Sequence, residues 1–552
     1  MRSMKAGCRI LTIAVGLTGC GGDAHGRLAL DPNVPEEARH GGTIVVAGAS
    51  EIESFSPAVV AEDLAYAFQR NVVLTTLLEA DEALRPRPYL AESWSINDDS
   101  TQVEFRLRSD VFWHDGRPTT ARDVAFTFEV LKDPEAAFPN AEWFTGWEGA
   151  EVIDERTIRF AVRPRAGLLA GWTRLPILPH HILGDVPLAE LGTHGFGIEP
   201  VGNGPFRFVE RRAGDTWVFE ANPIFPDDLG GRPYADRLIY RAIPEPSTQL
   251  AELEAGEVHF VYRASPTQLG RARASDDLRV QVYPTRGYGF IAWNGRRAVF
   301  RDPAVRRAFG LAIDRDALVD GVLGGLGEPA NGPIGPWHPA HDPGLEPQPF
   351  APDSAASLLT AAGWVDADGD GIRERDGEAL AFELLTTERD TYRDIAEIVQ
   401  ARLRAVGVDV AVRTVEGSAL VDAIFSPERR FDAFVLEWEP DFEIDDRQLF
   451  SCAAVGEMFQ FASYCNRELD PVLDSIPEAR SRDDAIRLLR AYARKVAEDQ
   501  PFTFLYFGQD AVVHRRELQG VVADIRGALV GAADWWLHPD GRTRVAGTSE
   551  SG

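Results

Sequence analysis

At 552 residues, the chain is longer than a single hydrophobic core usually supports, so at least two lobes are expected. A hydrophobic content of 44% and a charged content of 26% exclude a disordered or fibrous protein. The formal charge of −29 would repel phosphate backbones, which argues against nucleic acid as a partner.

The first twenty residues are predicted to be a targeting signal. Arg2, Lys5 and Arg9 form a positive segment, and the apolar stretch at residues 10–17 is too short to span a bilayer as a helix. The stretch ends in Leu-Thr-Gly-Cys, which resembles the processing box of bacterial lipoproteins, so Cys20 is expected to be lipidated. The alternative is an ordinary secretory signal with a chance cysteine. Either interpretation predicts export.

The first half of the folded chain contains patterns typical of strands and turns. Residues 43–47 form an apolar run that predicts the first strand. Apolar and charged residues alternate over 101–108, and the turn cluster at 97–100 before them indicates a hairpin. Thr120, with Asp123 three residues on, predicts a capping box at the start of a helix.

The second half alternates helices with strands. Asp302 and Pro303 open a predicted helix, and an apolar stripe predicts another over 390–406, followed by a strand over 408–412. The apolar run 502–507 is typical of a central strand. This repeated alternation indicates an α/β fold.

A short acidic segment resembles the first half of a calcium-binding loop. Asp366, Asp368 and Asp370 alternate as calcium ligands do, but Gly377 occupies the position that normally carries a bidentate glutamate. We favour a tight turn with a solvated acidic tip, and a structural calcium site is the alternative. No other cofactor is predicted.

The stretch 431–465 is the most informative part of the sequence. It begins with an apolar run at 433–436 that suits a strand buried on both faces, and Trp438 and Phe442 then alternate with carboxylates. A buried strand that delivers such residues at its end is typical of a ligand site in an α/β sheet, whereas the alternative is a solvated acidic loop. We predict a site that recognises a cationic group. The carboxylates are Glu437, Glu439, Asp441, Glu443, Asp445 and Asp446.

Cysteine use is consistent with export. Cys8 lies in the predicted signal and Cys20 would be lipidated, so Cys452 and Cys465 remain in the folded body. In an exported protein this pair predicts a disulfide, which would stabilise the fold by about 3 kcal/mol. Two free thiols or a metal pair are the alternatives, but no second cysteine pair or histidine cluster accompanies them.

The sequence does not predict an enzyme. It contains no G-x-S-x-G nucleophile motif, no H-E-x-x-H zinc motif and no G-x-x-x-x-G-K-[ST] phosphate loop. A secreted enzyme would require a nucleophile and a base in a cleft, and no such pair is evident.

Several segments, in a fixed order, are similar to those of a known family. They are Leu90–Trp94 (LAESW), Val111–Gly116 (VFWHDG), Thr120–Val124 (TARDV), Val201–Phe206 (VGNGPF), Leu250–Val258, Asp302–Leu318, Ala355–Trp364 and the stretch 431–465. The chain after residue 41 thus resembles the extracytoplasmic solute-binding proteins of the dipeptide and oligopeptide class, family 5, which are the receptor components of ABC importers.

The resemblance implies an α/β fold of the type II periplasmic-binding-protein kind. Two lobes, the first with an extra subdomain, are joined by a two-strand hinge and close over the ligand. The expected boundaries are 1–19 for a lipoprotein signal peptide, 20–40 for a flexible tether, 41–288 for lobe I with its inserted subdomain at about 60–190, 289–510 for lobe II, 511–545 for the return to lobe I and 546–552 for a tail.

The resemblance also implies a ligand-binding role for Asp441. In the peptide binders, an aspartate three residues after a tryptophan pairs with the ligand's α-ammonium group, and Trp438 and Asp441 have this spacing. Glu437 replaces the usual glycine before the tryptophan, and Glu439 lies between the two residues. These additional acids favour a basic or polyamine-like ligand. A pair of cysteines is also a feature of dipeptide-binding members.

Five further residues are candidate ligand contacts. Arg389 is expected to meet a peptide carboxylate, because a guanidinium can bond both oxygens, with a surface or capping role as the alternative. Trp293 and Asn294 on the expected hinge strand, and Ser54 and Phe55 in the first loop, are expected either to line the cleft or to pack in the core.

The expected function is therefore that of the substrate-binding receptor of an ABC importer, which captures peptides and delivers them to a permease with its ATPase subunits. A metal chelate, an oligosaccharide or a basic metabolite is the alternative ligand, since the fold alone does not settle it. We expect an extracytoplasmic monomer that is held to a membrane only through its lipid anchor.

Overall fold

The computed structural model describes residues 33–56, 63–136, 138, 141–212, 216–539 and 541. The predicted signal peptide, Cys20, the first part of the tether and the C-terminal tail lie outside the described residues.

Strands and helices alternate along the described chain. The strands are β1 (Thr43–Gly48), β2 (Leu78–Ala80), β3 (Pro86–Pro88), β4 (Ala91–Ile96), β5 (Gln102–Leu107), β6 (Trp147–Asp154), β7 (Thr157–Val162), β8 (Phe206–Arg212), β9 (Thr216–Ala221), β10 (Arg237–Ala242), β11 (Phe260–Val261), β12 (Leu278–Trp293), β13 (Gly327–Pro329), β14 (Glu374–Arg375), β15 (Glu378–Ala379), β16 (Ala381–Thr387), β17 (Asp409–Val415), β18 (Ala433–Trp438), β19 (Phe502–Arg515), β20 (Leu518–Gln519) and β21 (Trp536–Leu537). The α-helices are α1 (Glu36–Arg39), α2 (Asp63–Phe68), α3 (Ala121–Lys132), α4 (His180–Leu183), α5 (Pro246–Ala255), α6 (Pro266–Arg273), α7 (Ala298–Arg301), α8 (Pro303–Ala312), α9 (Arg315–Gly321), α10 (Pro352–Ala361), α11 (Asp390–Arg404), α12 (Gly417–Phe425), α13 (Arg447–Phe450), α14 (Asp470–Ser475) and α15 (Arg482–Asp499).

One mixed sheet runs through both lobes. Among the described residues it has 11 strands in the order β17-β16-β18-β12-β19-β11-β1-β10-β9-β8, and β13 pairs with β19. A separate 4-stranded antiparallel sheet, β4-β5-β7-β6, packs against α3 in the first lobe.

The first lobe is built around β1, which lies between its parallel neighbours β10 and β11. Ile44 and Val46 of this strand are fully buried, as the apolar run predicts. The predicted capping box of α3 is confirmed, since the side chains of Thr120 and Asp123 each accept from the other's backbone N–H. It fixes the start of the helix that covers the smaller sheet.

The second lobe places helices against parallel strands. β16 pairs in parallel with β17 and β18, and the apolar stripe of α11, with Ile395, Val399 and Leu403 fully buried, packs against them. Asp302 caps α8 by accepting a hydrogen bond from the Ala304 N–H at 2.9 Å. The predicted alternation of helices and strands is therefore confirmed here.

Two long strands connect the lobes. β12 and β19 pair antiparallel along their length, but their register is interrupted between Pro284 and Tyr288. Tyr283, just before the interruption, belongs to the first lobe's core, whereas Tyr288 belongs to a core of the second. The interruption therefore lies at the junction of the lobes, and such irregularities bend a strand and redirect its side chains.

The predicted disulfide between Cys452 and Cys465 is present, with a sequence separation of 13. The loop that it closes contains Phe459 and Phe461, whose rings lie 5.8 and 6.3 Å from that of Trp438. The disulfide therefore braces the aromatic residues that support the end of β18.

Candidate ligand-binding cleft

The candidate site begins where β18 ends. Phe434 and Val435 are buried because β18 lies between β12 and β16, so the strand is fixed on both sides. The chain then leaves the sheet and carries Glu439 and Asp441 into the cleft between the lobes. The sequence correctly predicted this buried strand and its acidic end.

Asp441 meets cationic groups from outside its own lobe. Its Oδ1 forms an ion pair with Nη1 of Arg174, which belongs to the first lobe, and lies 3.7 Å from Nη1 of Arg286. The same oxygen accepts from the backbone N–H of Phe442 at 2.6 Å. The carboxylate therefore occupies a position suited to a positive charge.

Arg174 is held between two aromatic rings. Its guanidinium carbon lies 4.3 Å from the centroid of Trp143 and 5.2 Å from that of Phe442, and only 5% of its side chain is exposed. Its Nε and Nη2 atoms are buried, and neither has a hydrogen-bond partner among the described residues. Two donors of this arginine are thus left unused.

Arg286 lies within the interrupted segment between the lobes. It donates to Glu439 at 2.5 Å and to the carbonyl oxygen of Pro440 at 3.3 Å, and its guanidinium carbon lies 4.9 Å from the ring centroid of Phe442. The irregular pairing of β12 therefore presents a charged side chain to the cleft.

Two cavities meet at this segment. An open cavity of 900 Å³ is lined by Trp143, Arg286, Trp438 and Asp441 among others. A second cavity of 360 Å³ lies against Phe442 and Glu443, between Leu84 and Ala170 of the first lobe and Ile476 and Leu489 of the second. Arg174 and Glu443 line both cavities.

The lobes touch beside the smaller cavity. The backbone N–H of Ala166 donates to the carbonyl oxygen of Ala479 at 2.5 Å, and Nη2 of Arg482 donates to that of Ala83 at 2.6 Å. Together with the pair of Arg174 and Asp441, these bonds close one side of the cleft.

Burial shifts the titration of several carboxyl groups at the site. It raises the pKa of Glu443 to about 7, although nearby arginines oppose this rise. It also raises the pKa of Asp446 to about 7, and the Tyr492 hydroxyl donates to this carboxyl at 2.5 Å. Loss of water, reinforced by the charge of Glu439, raises the pKa of Glu437 even though this side chain remains partly open to the cleft.

Several carboxylates of the acidic run already have partners within the protein. Glu439 and Asp441 are paired with arginines from outside the second lobe's core, and Asp445 is paired with Arg447 at 2.6 Å. Asp446 is buried at the N-cap position of α13. That the additional acids favour a basic or polyamine-like ligand stays a prediction, and the partners of Glu439, Asp441 and Asp445 leave less unpaired negative charge for such a ligand.

Among the described residues, none of the remaining predicted contacts forms a hydrogen bond or an ion pair with Asp441. Arg389 is exposed at the N-cap position of α11, where its guanidinium carbon lies 5.8 Å from the Tyr392 ring centroid. Trp293 is buried and donates to Thr503 Oγ1 at 3.0 Å, and Asn294 donates to the carbonyl oxygen of Phe431 at 2.7 Å. The packing alternative describes these last two, because their side chains are enclosed in the second lobe.

The first loop also contributes mainly to packing. Phe55 is fully buried, with its ring centroid 4.7 Å from that of Trp217 and 5.7 Å from that of Phe219. Ser54 is half-buried, and its hydroxyl accepts from the Ser56 N–H at 3.0 Å. Phe55 is therefore a core residue, whereas the Ser54 hydroxyl forms a hydrogen bond within the loop itself.

The acidic segment that resembles a calcium loop forms a compact turn. Asp366, Asp368, Asp370 and Glu374 each bring a carboxylate oxygen within 4.8 Å of the others. These carboxylates accept from backbone N–H groups of the loop, for example from Gly369 at 2.7 Å. Calcium binding stays a prediction, and the hydrogen bonds account for the turn without an ion.

Sequence reasoning missed the arginines of the site. Arg174 lies in an irregular segment without periodicity, and its partner is distant in the chain. Arg286 was the detectable case, since it is a charged residue just before the apolar run 288–293 of the strand that crosses between the lobes.

The fold and the cleft together define the class of protein. Two α/β lobes, linked by crossing strands and enclosing a cleft with charged and aromatic walls, are the architecture of a solute-binding protein that closes around its ligand. Residues 85–457 match the family described as bacterial extracellular solute-binding proteins, family 5 middle. The chain belongs to this family, and it is accordingly an extracytoplasmic transport receptor and not an enzyme.

Individual relatives agree along nearly the whole chain. The oligopeptide-binding protein AppA of Bacillus subtilis (strain 168) is 29% identical over 534 residues, which cover 96% of this chain and 97% of AppA. The structure of AppA in complex with a nonapeptide matches the present structure with a TM-score of 0.71, and the match covers 91% of this chain and 99% of the AppA chain. The dipeptide-binding protein of Escherichia coli (strain K12) is 26% identical, over 79% of this chain and 84% of its own. HbpA2 from Haemophilus parasuis, with 21% identity, 90% and 100% coverage and a TM-score of 0.78, has the same fold. The predicted two-lobed α/β fold is confirmed.

Proposed function

We propose that this receptor captures peptides in the cleft between its lobes and delivers them to the permease of an ABC importer. The observation that carries the proposal is the position of Asp441, a cleft carboxylate that follows a fixed strand and already pairs with cationic groups. A peptide α-ammonium group supplies the same charge. The nonapeptide complex of AppA, a relative that matches nearly the full chain, supports this ligand class.

The binding step follows from the two-lobed construction. In an open form, Asp441 is separated from Arg174, and an incoming ammonium group gains access to the carboxylate. Closure then removes water from Asp441 and the ammonium group. A buried charge without a partner is costly, so a ligand that supplies the matching charge is favoured. Because the ligand contacts both lobes, it shifts the equilibrium between the open and closed forms towards the closed form, which the permease recognises.

The proposal includes attachment to the membrane through Cys20. Support comes from the lipoprotein-like sequence around this cysteine and from the extracytoplasmic family. In the part of the chain that the structure describes, no helix has the length and apolar character needed to cross a bilayer. Labelling with a radioactive fatty acid should mark the wild-type protein and leave the Cys20→Ala variant unlabelled. We further propose that the receptor acts as a monomer.

The first experiment is mass spectrometry of the ligands that denaturation releases from the purified full chain. A set of short peptides with free N-termini is the expected result, and their lengths would measure the cleft. A sugar, a metal chelate or a single basic metabolite would keep the receptor role and overturn the peptide ligand. If the protein is empty, titration with a library of short peptides replaces this measurement, and the absence of any binding would overturn the peptide ligand as well.

A further inference from the structure

The smaller cavity beside Asp441 has a charge opposite to that of the whole protein. The chain carries a formal charge of −29. Among the residues that line the 360 Å³ cavity, however, arginines outnumber acidic residues by six to two. The arginines are Arg70, Arg165, Arg174, Arg480, Arg482 and Arg526, and the acidic residues are Glu443 and Asp445.

Arg174 and Arg526 form ion pairs with Asp441 and Asp524, but Arg165 and Arg482 have no carboxylate within ion-pair distance among the described residues. Arg165 donates to the backbone carbonyl oxygens of Thr145 at 3.3 Å and Ala166 at 3.5 Å. Arg482 donates to that of Ala83. Backbone carbonyls satisfy hydrogen bonds but do not neutralise a guanidinium, so these positive charges remain available to a ligand.

The acidic residues of the cavity do not fully compensate these arginines. Asp445 is taken by Arg447, which lies outside this cavity's lining. Glu443 lies close enough to Arg165, Arg174 and Arg482 for their charges to lower its pKa. Burial outweighs these charges and raises the pKa to about 7, so this carboxyl compensates the arginines only in part at neutral pH. The enclosed space therefore retains an excess of positive charge between two low-dielectric lobes, where fields are strong.

The buried donors of Arg174 are an independent observation that points to a ligand. This arginine is 4% exposed and lies at the junction of both cavities, with Nε and Nη2 unpartnered among the described residues. Leaving buried donors without partners costs free energy. Nε and Nη2 lie side by side on one edge of the guanidinium, which is the edge that binds a carboxylate through two parallel hydrogen bonds.

Resting on the proposed peptide function, we propose that this cavity is an anion subsite, in which Arg174, Arg165 and Arg482 receive a side-chain carboxylate of an acidic peptide. Asp441 takes the α-ammonium group in the larger cavity, and the arginines take the acidic side chain in the smaller one. The receptor would then select peptides with aspartate or glutamate close to the N-terminus, and not the basic ligands suggested by the acidic run alone.

The test is calorimetric titration of the full chain, in detergent, with alanine tetrapeptides that carry Glu, Gln or Lys at one position. At the position whose side chain enters the smaller cavity, the peptide with Glu should bind about tenfold more tightly than the peptide with Gln. A tenfold difference is the effect expected of one charge-assisted contact. The Arg165→Gln/Arg482→Gln variant should bring this ratio close to one. The matched control is Arg413→Gln, because Arg413 is an exposed arginine of β17 that pairs with Glu383 at 2.9 Å away from these cavities.

Each outcome decides the proposal. Equal binding of Glu and Gln peptides, tighter binding of Lys peptides, or a preference that survives in the double variant would overturn the subsite while the peptide function stands. If no peptide binds, a thermal shift with citrate provides the second measurement. Stabilisation by citrate that the double variant loses would support the anion subsite as a site for free polycarboxylates, although the peptide function fails. No stabilisation by citrate would overturn both.

Discussion

Arg174 of the first lobe and Asp441 of the second form an ion pair across the cleft, although they are 267 positions apart in the chain. The pair combines an almost fully buried guanidinium with a carboxylate that is 28% exposed on its side chain. An entering ammonium group therefore has to replace Arg174 as the partner of Asp441. This exchange frees Nη1 of the arginine, whereas Nε and Nη2 already lack partners among the described residues.

Replacing Asp441 should impair the recognition of free N-termini. In Asp441→Asn, the affinity for peptides with a free α-ammonium group should fall about 100-fold, since loss of one partner leaves the other charge buried and unpaired. Calorimetry with the best-binding peptide and its N-acetylated form measures the effect. The acetylated form should bind poorly to both proteins.

The control for this variant is Asp409→Asn in β17, whose exposed side chain pairs with Arg404 at 3.4 Å and lines neither cavity. It should bind the peptide like the wild type. Wild-type affinity in Asp441→Asn would contradict the role that we propose for this residue.

Glu443 and Asp446 should make the protein less stable as the pH rises. Their ordinary pKa values are 4.5 and 3.8, and in the folded protein both are raised to about 7. Between about pH 4 and pH 7 the folded state therefore holds protons that the unfolded chain has lost, so the free energy of unfolding falls over this window. The contribution becomes constant above about pH 8, where both groups are ionised in the folded and unfolded states alike.

The measurement is the difference in Tm between the wild type and each of Glu443→Gln and Asp446→Asn from pH 5 to pH 8. Each variant should gain stability relative to the wild type as the pH rises, because an amide has no proton to lose. In Asp446→Asn, the side-chain amide oxygen would still accept the Tyr492 hydroxyl. A difference in Tm that does not change with pH would show that these carboxyl groups titrate normally.

The predictable features of the molecule were local. Periodicity placed α3, α8 and α11, and the short apolar run placed β18, because each pattern reflects burial on one element. The disulfide could be predicted because the protein is expected to be exported and only Cys452 and Cys465 remain in its folded body. The pairing of Arg174 with Asp441 had no local signal, since it depends on how far one lobe approaches the other. For Trp293 and Phe55 the sequence could not decide between lining the cleft and packing in the core, because it does not show which way an aromatic ring points.

Gly202 of the VGNGPF segment should tolerate no side chain. A Cβ atom at this position would overlap the backbone carbonyl oxygen of Val73, and the backbone cannot move aside as a flexible side chain does. Gly202→Ala should therefore lower stability by about 1–3 kcal/mol, the usual cost of overpacking. Gly195→Ala is the control, because a Cβ there meets nothing within 4 Å. Urea unfolding of both variants compares them, and equal midpoints would refute this account.

Reduction of the disulfide should affect both stability and the cleft. Opening the bond between Cys452 and Cys465 releases a loop whose closure is worth about 3 kcal/mol, so the Tm should fall in the presence of a reductant. Because Phe459 and Phe461 of this loop support Trp438, the affinity for peptides should fall too.

The Cys452→Ser/Cys465→Ser variant separates this effect from general effects of the reductant. It should show the lower Tm and weaker binding without reductant, and adding the reductant should change neither. If reduction lowers the Tm of the wild type but leaves its peptide affinity intact, the loop stabilises the second lobe without positioning the end of β18. The end of β18 would then be fixed by its pairing with β12 and β16 alone.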